Sequence, residues 1–123
     1  MARFITPEKR LAIYIRDGFT CCYCGKDLKN AHRDDINLDH LVRAKRDKKK
    51  NFSVKKLENG LSVNHETNLV TACMLCNKKR GIKIWYEYAT GGAVDRINKQ
   101  IAQPLNMGLA KAIFADKTGK HDR

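Results

Sequence analysis

The chain has 123 residues, with 25 Lys and Arg against 13 Asp and Glu, a formal net charge of +12. That length fits one domain with a small core. No apolar run approaches the ~20 residues of a membrane span, and Met1 to Lys9 has no apolar stretch behind its charges, so a cytoplasmic protein that meets a polyphosphate backbone is the expectation.

The elements read as an α+β domain. Thr6-Pro7-Glu8 is a helix start: Thr6 caps, Pro7 suits the first helical position and Glu8 complements the dipole. Leu11, Tyr14 and Ile15 repeat at helical spacing, and Gly18 supplies a left-handed end after Asp17. Residues 19–28 form a first cysteine loop, and Asn30 to Asp35 is polar and turn-like. Ile36-Asn37-Leu38-Asp39-His40 alternates apolar and polar before Leu41-Val42, which predicts a short strand with one buried face. The charge is then concentrated: Arg43, Lys45, Arg46, Lys48, Lys49, Lys50, Lys55 and Lys56 stand against Asp47 alone. Such a block is either a solvated loop or a surface for phosphates, and the run by itself gives the two equal weight.

Leu61-Ser62-Val63 is a candidate second strand, and Asn68 to Ala72 leads into a second cysteine pair. Leu75 to Arg80 reads as a helix ended near Gly81, with Ile82 to Tyr88 packing it onto the core. Gly91-Gly92 breaks the chain, and residues 93–103 and 105–115 are expected to be helices divided by Pro104. Met107, Leu109, Ile113 and Phe114 suit a core face better than a docking face. Lys117 to Arg123 is expected to fray.

Cys21 with Cys24 and Cys73 with Cys76 each have the two-residue gap that lets two thiolates reach one ion, and two such pairs complete the tetrahedron of structural Zn²⁺. Gly25 permits the tight turn after Cys24. Disulfides would need an oxidising compartment, and a redox dithiol would not need the second pair. Cys22 is left over, as a small and partly buried thiol. Bound zinc would stabilise the fold directly by tying the N-terminal loop to the distant helix.

Polar residues stand where apolar ones are expected: Asp39 and His40 in the strand, Asn68 before an apolar run, and Asn77 beside Cys76. Gathered in one groove, they suit phosphodiester hydrolysis. Imidazole is a general base near neutral pH, which points to His40. Asp39 and the Asn77 carbonyl offer hard oxygens to Mg²⁺ or Mn²⁺. Asn68 holds the loop or orients His40. Arg80, one turn beyond Asn77, is placed to grip a phosphate, and Arg43, Lys45, Arg46, Lys48, Lys49 and Lys50 to line the path of the nucleic acid. In an ideal strand Asp39 and His40 point to opposite faces, so the strand must bend or end there.

Phe19-Thr20-Cys21-Cys22-Tyr23-Cys24-Gly25-Lys26, Leu38-Asp39-His40, and Asn68 through Cys73 and Cys76-Asn77 to Gly81 together resemble a zinc-stapled HNH endonuclease. The resemblance covers about residues 10–81 of a single domain spanning 1–123, with 82–123 a helical C-terminal extension. It implies a ββα-metal (His-Me) finger around one divalent cation. By position, His40 is the general base, Asp39 the adjacent acidic ligand, Asn68 the middle Asn that supports loop and base, and Asn77 the third motif residue, giving an HNN-type variant. Many members follow the His with an apolar residue, Pro and a Gly-rich loop, whereas here Leu41-Val42-Arg43-Ala44 enters the lysine block. Membership implies cleavage of DNA, double-stranded, to a 5′-phosphate and a 3′-hydroxyl, in a phage or bacterial setting and beside a larger nuclease or packaging partner. The alternative is a zinc-stabilised nucleic-acid-binding domain without catalysis, which has no need of Asp39-His40.

Overall fold

The computed structural model describes residues 5–43, 46–47, 52–53, 57 and 59–118, the side chains of 46–47, 52–53 and 117–118 excepted. The first helix, α1 (Pro7–Arg16), starts as its sequence dictates: the Thr6 side chain accepts from the Lys9 amide and Pro7 needs no amide partner. It buries Ala12, Ile13 and Tyr14, with Leu11 and Ile15 at the margin. Gly18 (φ 62°) and Phe19 (φ 54°) then take left-handed backbone and reverse the chain.

The cysteine loop is closed by a bridge between Thr20 and Asp27 and by the Cys21 amide on the Lys26 carbonyl at 2.9 Å. Gly25, at φ 77°, makes the turn; a Cβ there would sit 3.3 Å from the Arg96 guanidinium. Strand β1 (Ile36–His40) is followed by an antiparallel pair of two-residue strands, β2 (Arg46–Asp47) and β3 (Phe52–Ser53). A 3₁₀ turn, Glu66–Asn68, leads into β4 (Leu69–Cys73), which pairs antiparallel with β1 in the register Ile36 to Cys73 and His40 to Leu69. Helix α2 (Met74–Arg80) continues directly from β4, with the Cys73 sulfur accepting from the Cys76 amide as its N-cap. Then come α3 (Trp85–Tyr88), α4 (Ala93–Ala102) and α5 (Met107–Thr118).

Two readings of the strands are corrected. Leu61 to Val63 forms no strand, Ser62 making a lone bridge and Val63 entering a turn; the partner of β1 is Leu69–Cys73, every residue of which is buried. It is covered on both sides, by α1 and by α4, so its sequence lacks alternation. On β1 the most buried residue is Asp39, at 2% exposure, while Ile36 and Leu38 are half-buried. The cysteine loop and α2 cover the acid's face and supply it with polar partners, so a carboxylate is tolerated inside.

The core gathers Cys21, Cys22, Leu28, Leu41, Val70, Ala72, Ala93 and Ile97. Full burial of side chains such as Leu28 and Ile97 contributes roughly 1.5–3 kcal/mol each. The C-terminal extension thus shares the core. Its helix α4 also clamps the cysteine loop, through Arg96 on the Cys22 carbonyl at 3.0 Å, and α5 lies against α1 through the buried Ala110. The segment after α2 is split: Trp85 and Tyr88 pack on the core, but Ile82 is wholly exposed and Ile84 and Tyr86 are largely so. No helix among the described residues is long and apolar enough to cross a membrane.

Candidate metal centre and active-site cleft

The four paired cysteines meet. The Sγ atoms of Cys21, Cys24, Cys73 and Cys76 all lie within 4.8 Å of one another, and Cys24 and Cys73 are 3.9 Å apart. Tetrahedral Zn²⁺, with Zn–S of about 2.3 Å, requires sulfurs about 3.8 Å apart, so the cluster is compatible with a zinc site. Only Cys24 is exposed. Burial pushes the Cys76 thiol up to about 12, with neighbouring thiols adding to the shift and Tyr88 opposing it. A bound cation offsets that cost by taking the thiolate as a ligand. Cys22 is fully rather than partly buried, its thiol pushed up by burial first and by Cys21 next, so it stays neutral and packs in the core.

Tyr23 lies between the ligands of the first pair and reaches out of the loop. Its hydroxyl donates to Asp39 Oδ2 at 2.5 Å, and its ring packs edge-on to Tyr88 at 5.1 Å. Burial, reinforced by the bond to Asp39, pushes this phenol up and keeps it a donor. The cysteine loop therefore fixes one side of Asp39. Arg80 fixes the same oxygen from α2, with Nη1 at 2.8 Å.

Arg80 corrects an expectation. It does not reach outward for a phosphate: it is 3% exposed, and its guanidinium donates to Asp39, to the carbonyls of His40 (2.7 Å), Leu41 (2.7 Å) and Lys83 (2.9 Å), and weakly to the Tyr23 hydroxyl. Its donors are spent on holding the end of β1. A helix face seen in sequence does not say that the chain before and after it will wrap around that arginine.

β1 ends at His40, and a cavity of about 270 Å³ opens there, lined by Leu38, Asp39, His40, Arg43 and Asn77. The end of the strand brings Asp39 and His40 to one cleft although they alternate in the pleat. Asp39 Oδ1 and Asn77 Oδ1 both accept from the same atom, Arg43 Nη2, at 3.0 and 3.2 Å. A cationic group thus stands between two hard oxygens, a donor set that suits a divalent metal.

Asn68 is buried at the back of the loop. Its carbonyl oxygen accepts from the Val42 amide at 2.8 Å, and its amide donates to the carbonyls of Val42 (2.8 Å) and Val63 (2.9 Å). Its side-chain bonds hold the loop, and none of them goes to His40. The partner of His40 is Asn64, whose Oδ1 lies 2.7 Å from Nε2. An amide oxygen in that position accepts from Nε2–H, and in the neutral ring that tautomer leaves the lone pair on Nδ1. Nothing in Val63-Asn64-His65 signals this role in sequence. Lys45, Lys48, Lys49 and Lys50 lie outside the described residues, and Arg46 contributes backbone only. A second, more apolar groove of about 520 Å³ adjoins the cleft across Arg43 and includes Val42, Ile82, Lys83, Trp85 and Tyr86. No protein-family model, curated protein or solved structure matches this chain.

Proposed function

We propose that this protein is a metal-dependent DNA endonuclease of the HNH type, a ββα-metal finger stapled by zinc. The observation that carries the reading is the single cleft lined by Asp39, His40 and Asn77 at the junction of β1 and α2. The order strand, strand, helix in β1, β4 and α2 agrees with it, as does a net charge of +12.

Cys21, Cys24, Cys73 and Cys76 hold Zn²⁺ as a structural ion. Asp39 and Asn77 would hold one Mg²⁺ or Mn²⁺, which would supply charge neutralisation at the scissile phosphate and the leaving oxygen. The remaining steps belong to the chain. His40 Nδ1 takes the proton of the attacking water, and Asn64 holds the ring in the tautomer that permits it. Arg80 and Tyr23 hold Asp39 Oδ2, which leaves Oδ1 facing the cleft. Asn68 fixes Val42 and so the turn that ends the strand at His40. Basic side chains after Arg43 bind the phosphates on either side.

The test is incubation of zinc-loaded protein with supercoiled plasmid in Mg²⁺ or Mn²⁺, with EDTA and His40→Ala as controls. Relaxed or linear plasmid is expected with the wild type and metal only. The variant should lose cleavage and keep its zinc and its DNA binding. Salt-sensitive binding by the wild type with no cleavage under any metal would replace this reading with a binding module.

A further inference from the structure

The position of Arg43 is unexplained by a role in gripping DNA alone. Its Nη2 bridges Asp39 Oδ1 and Asn77 Oδ1, at 3.0 and 3.2 Å, which are the two oxygens assigned above to the catalytic cation. The other oxygen of Asp39 is already committed to Arg80 and Tyr23 inside the protein. Only the Oδ1 side is left for a cation, and a guanidinium is there. The two arginines on Asp39 also differ in their surroundings: the Arg80 side chain is 3% exposed, whereas that of Arg43 is 44% exposed and lies on a loop between the cleft and the adjoining groove. One is fixed and the other has solvent to withdraw into.

We propose that Arg43 is a built-in competitor for the divalent cation, occupying its place in the resting protein and leaving when the metal binds. The proposal rests on the reading of this cleft as a cation site. Physically it follows from charge. Arg80 balances the charge of Asp39 at Oδ2, but the Oδ1 lone pairs at the mouth of the cleft still call for a partner, and Arg43 supplies one until a metal does. A guanidinium and a divalent cation cannot share two oxygens at coordination distance, so each binds at the expense of the other. Once displaced, Arg43 retains a full charge and bidentate donors, and an incoming phosphate is its natural replacement acceptor. The cleft is thereby biased towards taking its metal together with nucleic acid.

The experiment is a Mn²⁺ titration of the zinc-loaded protein, free Mn²⁺ being read by electron paramagnetic resonance. Arg43→Ala is expected to bind Mn²⁺ about three- to fivefold more tightly than the wild type, the upper part of the range for loss of a half-exposed ion pair. Lys83→Ala removes a neighbouring charge that touches neither oxygen and should alter affinity by less than about twofold. Asn77→Ala should weaken Mn²⁺ binding in either background, which identifies the site titrated. Equal Mn²⁺ affinity in the wild type and Arg43→Ala, with Asn77→Ala still weakening both, overturns the competitor and leaves the nuclease reading intact. Mn²⁺ binding that ignores Asn77 in both backgrounds overturns both.

Discussion

Asp17 and Asp39 are both buried acids, each paired with an arginine, and their contacts meet adjacent residues of β4, since Asp17 accepts from Thr71 and Asp39 pairs in register with Val70. Asp17 is closed on all sides. Arg16 donates to both of its oxygens, at 2.7 and 3.2 Å, and the Thr71 amide and hydroxyl donate to Oδ2 at 2.9 Å each. Arg16 also holds the carbonyls of Glu66 and Leu69, so this pair joins α1 to β4 and the turn before it. Asp39 is closed on one oxygen and open on the other, where its partner is the half-exposed Arg43. The same chemistry thus builds a joint in one place and a site in the other. What separates them is a single oxygen whose partner can leave.

The largest effect is expected from removing the frame on which both acids depend. Cys73→Ser takes one ligand from the cluster and also the N-cap of α2. Structural zinc contributes apparent binding energies of roughly 10–16 kcal/mol in small domains, comparable to the whole stability of a protein this size. The variant should lose stoichiometric zinc and its cooperative melting transition. Unchanged zinc content and melting would show that the cluster is not the staple.

Exchanging each acid for its isosteric amide sharpens the contrast. In Asp17→Asn one oxygen becomes a donor facing the donors of Arg16 or Thr71, and the buried guanidinium loses its counter-charge. The expected loss is about 3–5 kcal/mol. In Asp39→Asn the amide nitrogen can face the cleft while the oxygen keeps Arg80 and Tyr23. Arg80 loses its counter-charge as Arg16 does, but three backbone carbonyls still accept from it, against two for Arg16, and the open side of Asp39 can rehydrate. The expected loss is about 1–3 kcal/mol, with loss of Mn²⁺ binding and of cleavage. Chemical denaturation of the zinc-loaded proteins ranks them; the reverse order would remove the distinction between joint and site.

The sequence discloses what local chemistry decides. The cap at Thr6-Pro7 is read correctly because a helix start is satisfied within one turn. The gathering of the four cysteines is read correctly because a two-residue gap within each pair is a local signal. The partner of β1 is missed because β4, buried on both faces, has no alternation to display. The two arginines are given one role in sequence for a related reason. Arg43 and Arg80 each sit near a motif residue, and only the fold shows that the carbonyls of His40, Leu41 and Lys83 enclose one of them. Asn64 reaches His40 across an insert that the sequence gives no means of closing.

Asn64 also provides the smallest and most selective perturbation. Among the described residues its side chain bonds His40 alone, while its backbone carries the contacts to Lys9 and Ser62. Asn64→Ala should therefore change stability by less than about 1 kcal/mol, as expected for one part-exposed hydrogen bond. Its effect falls on the tautomer. Without an acceptor at Nε2 the imidazole divides between two protonation patterns, and the base is available for only part of the time. Cleavage should fall about tenfold, a fraction of the roughly 10²–10⁴-fold that a general base provides. Asn64→Asp restores an acceptor at the same place and should recover most of the rate, with its pH profile displaced because a carboxylate favours the protonated ring. A structural role would make both variants equally poor and would lower their melting temperatures. Rescue by the acid at constant melting temperature would show that the open side of the molecule is tuned by contacts that its stability does not require.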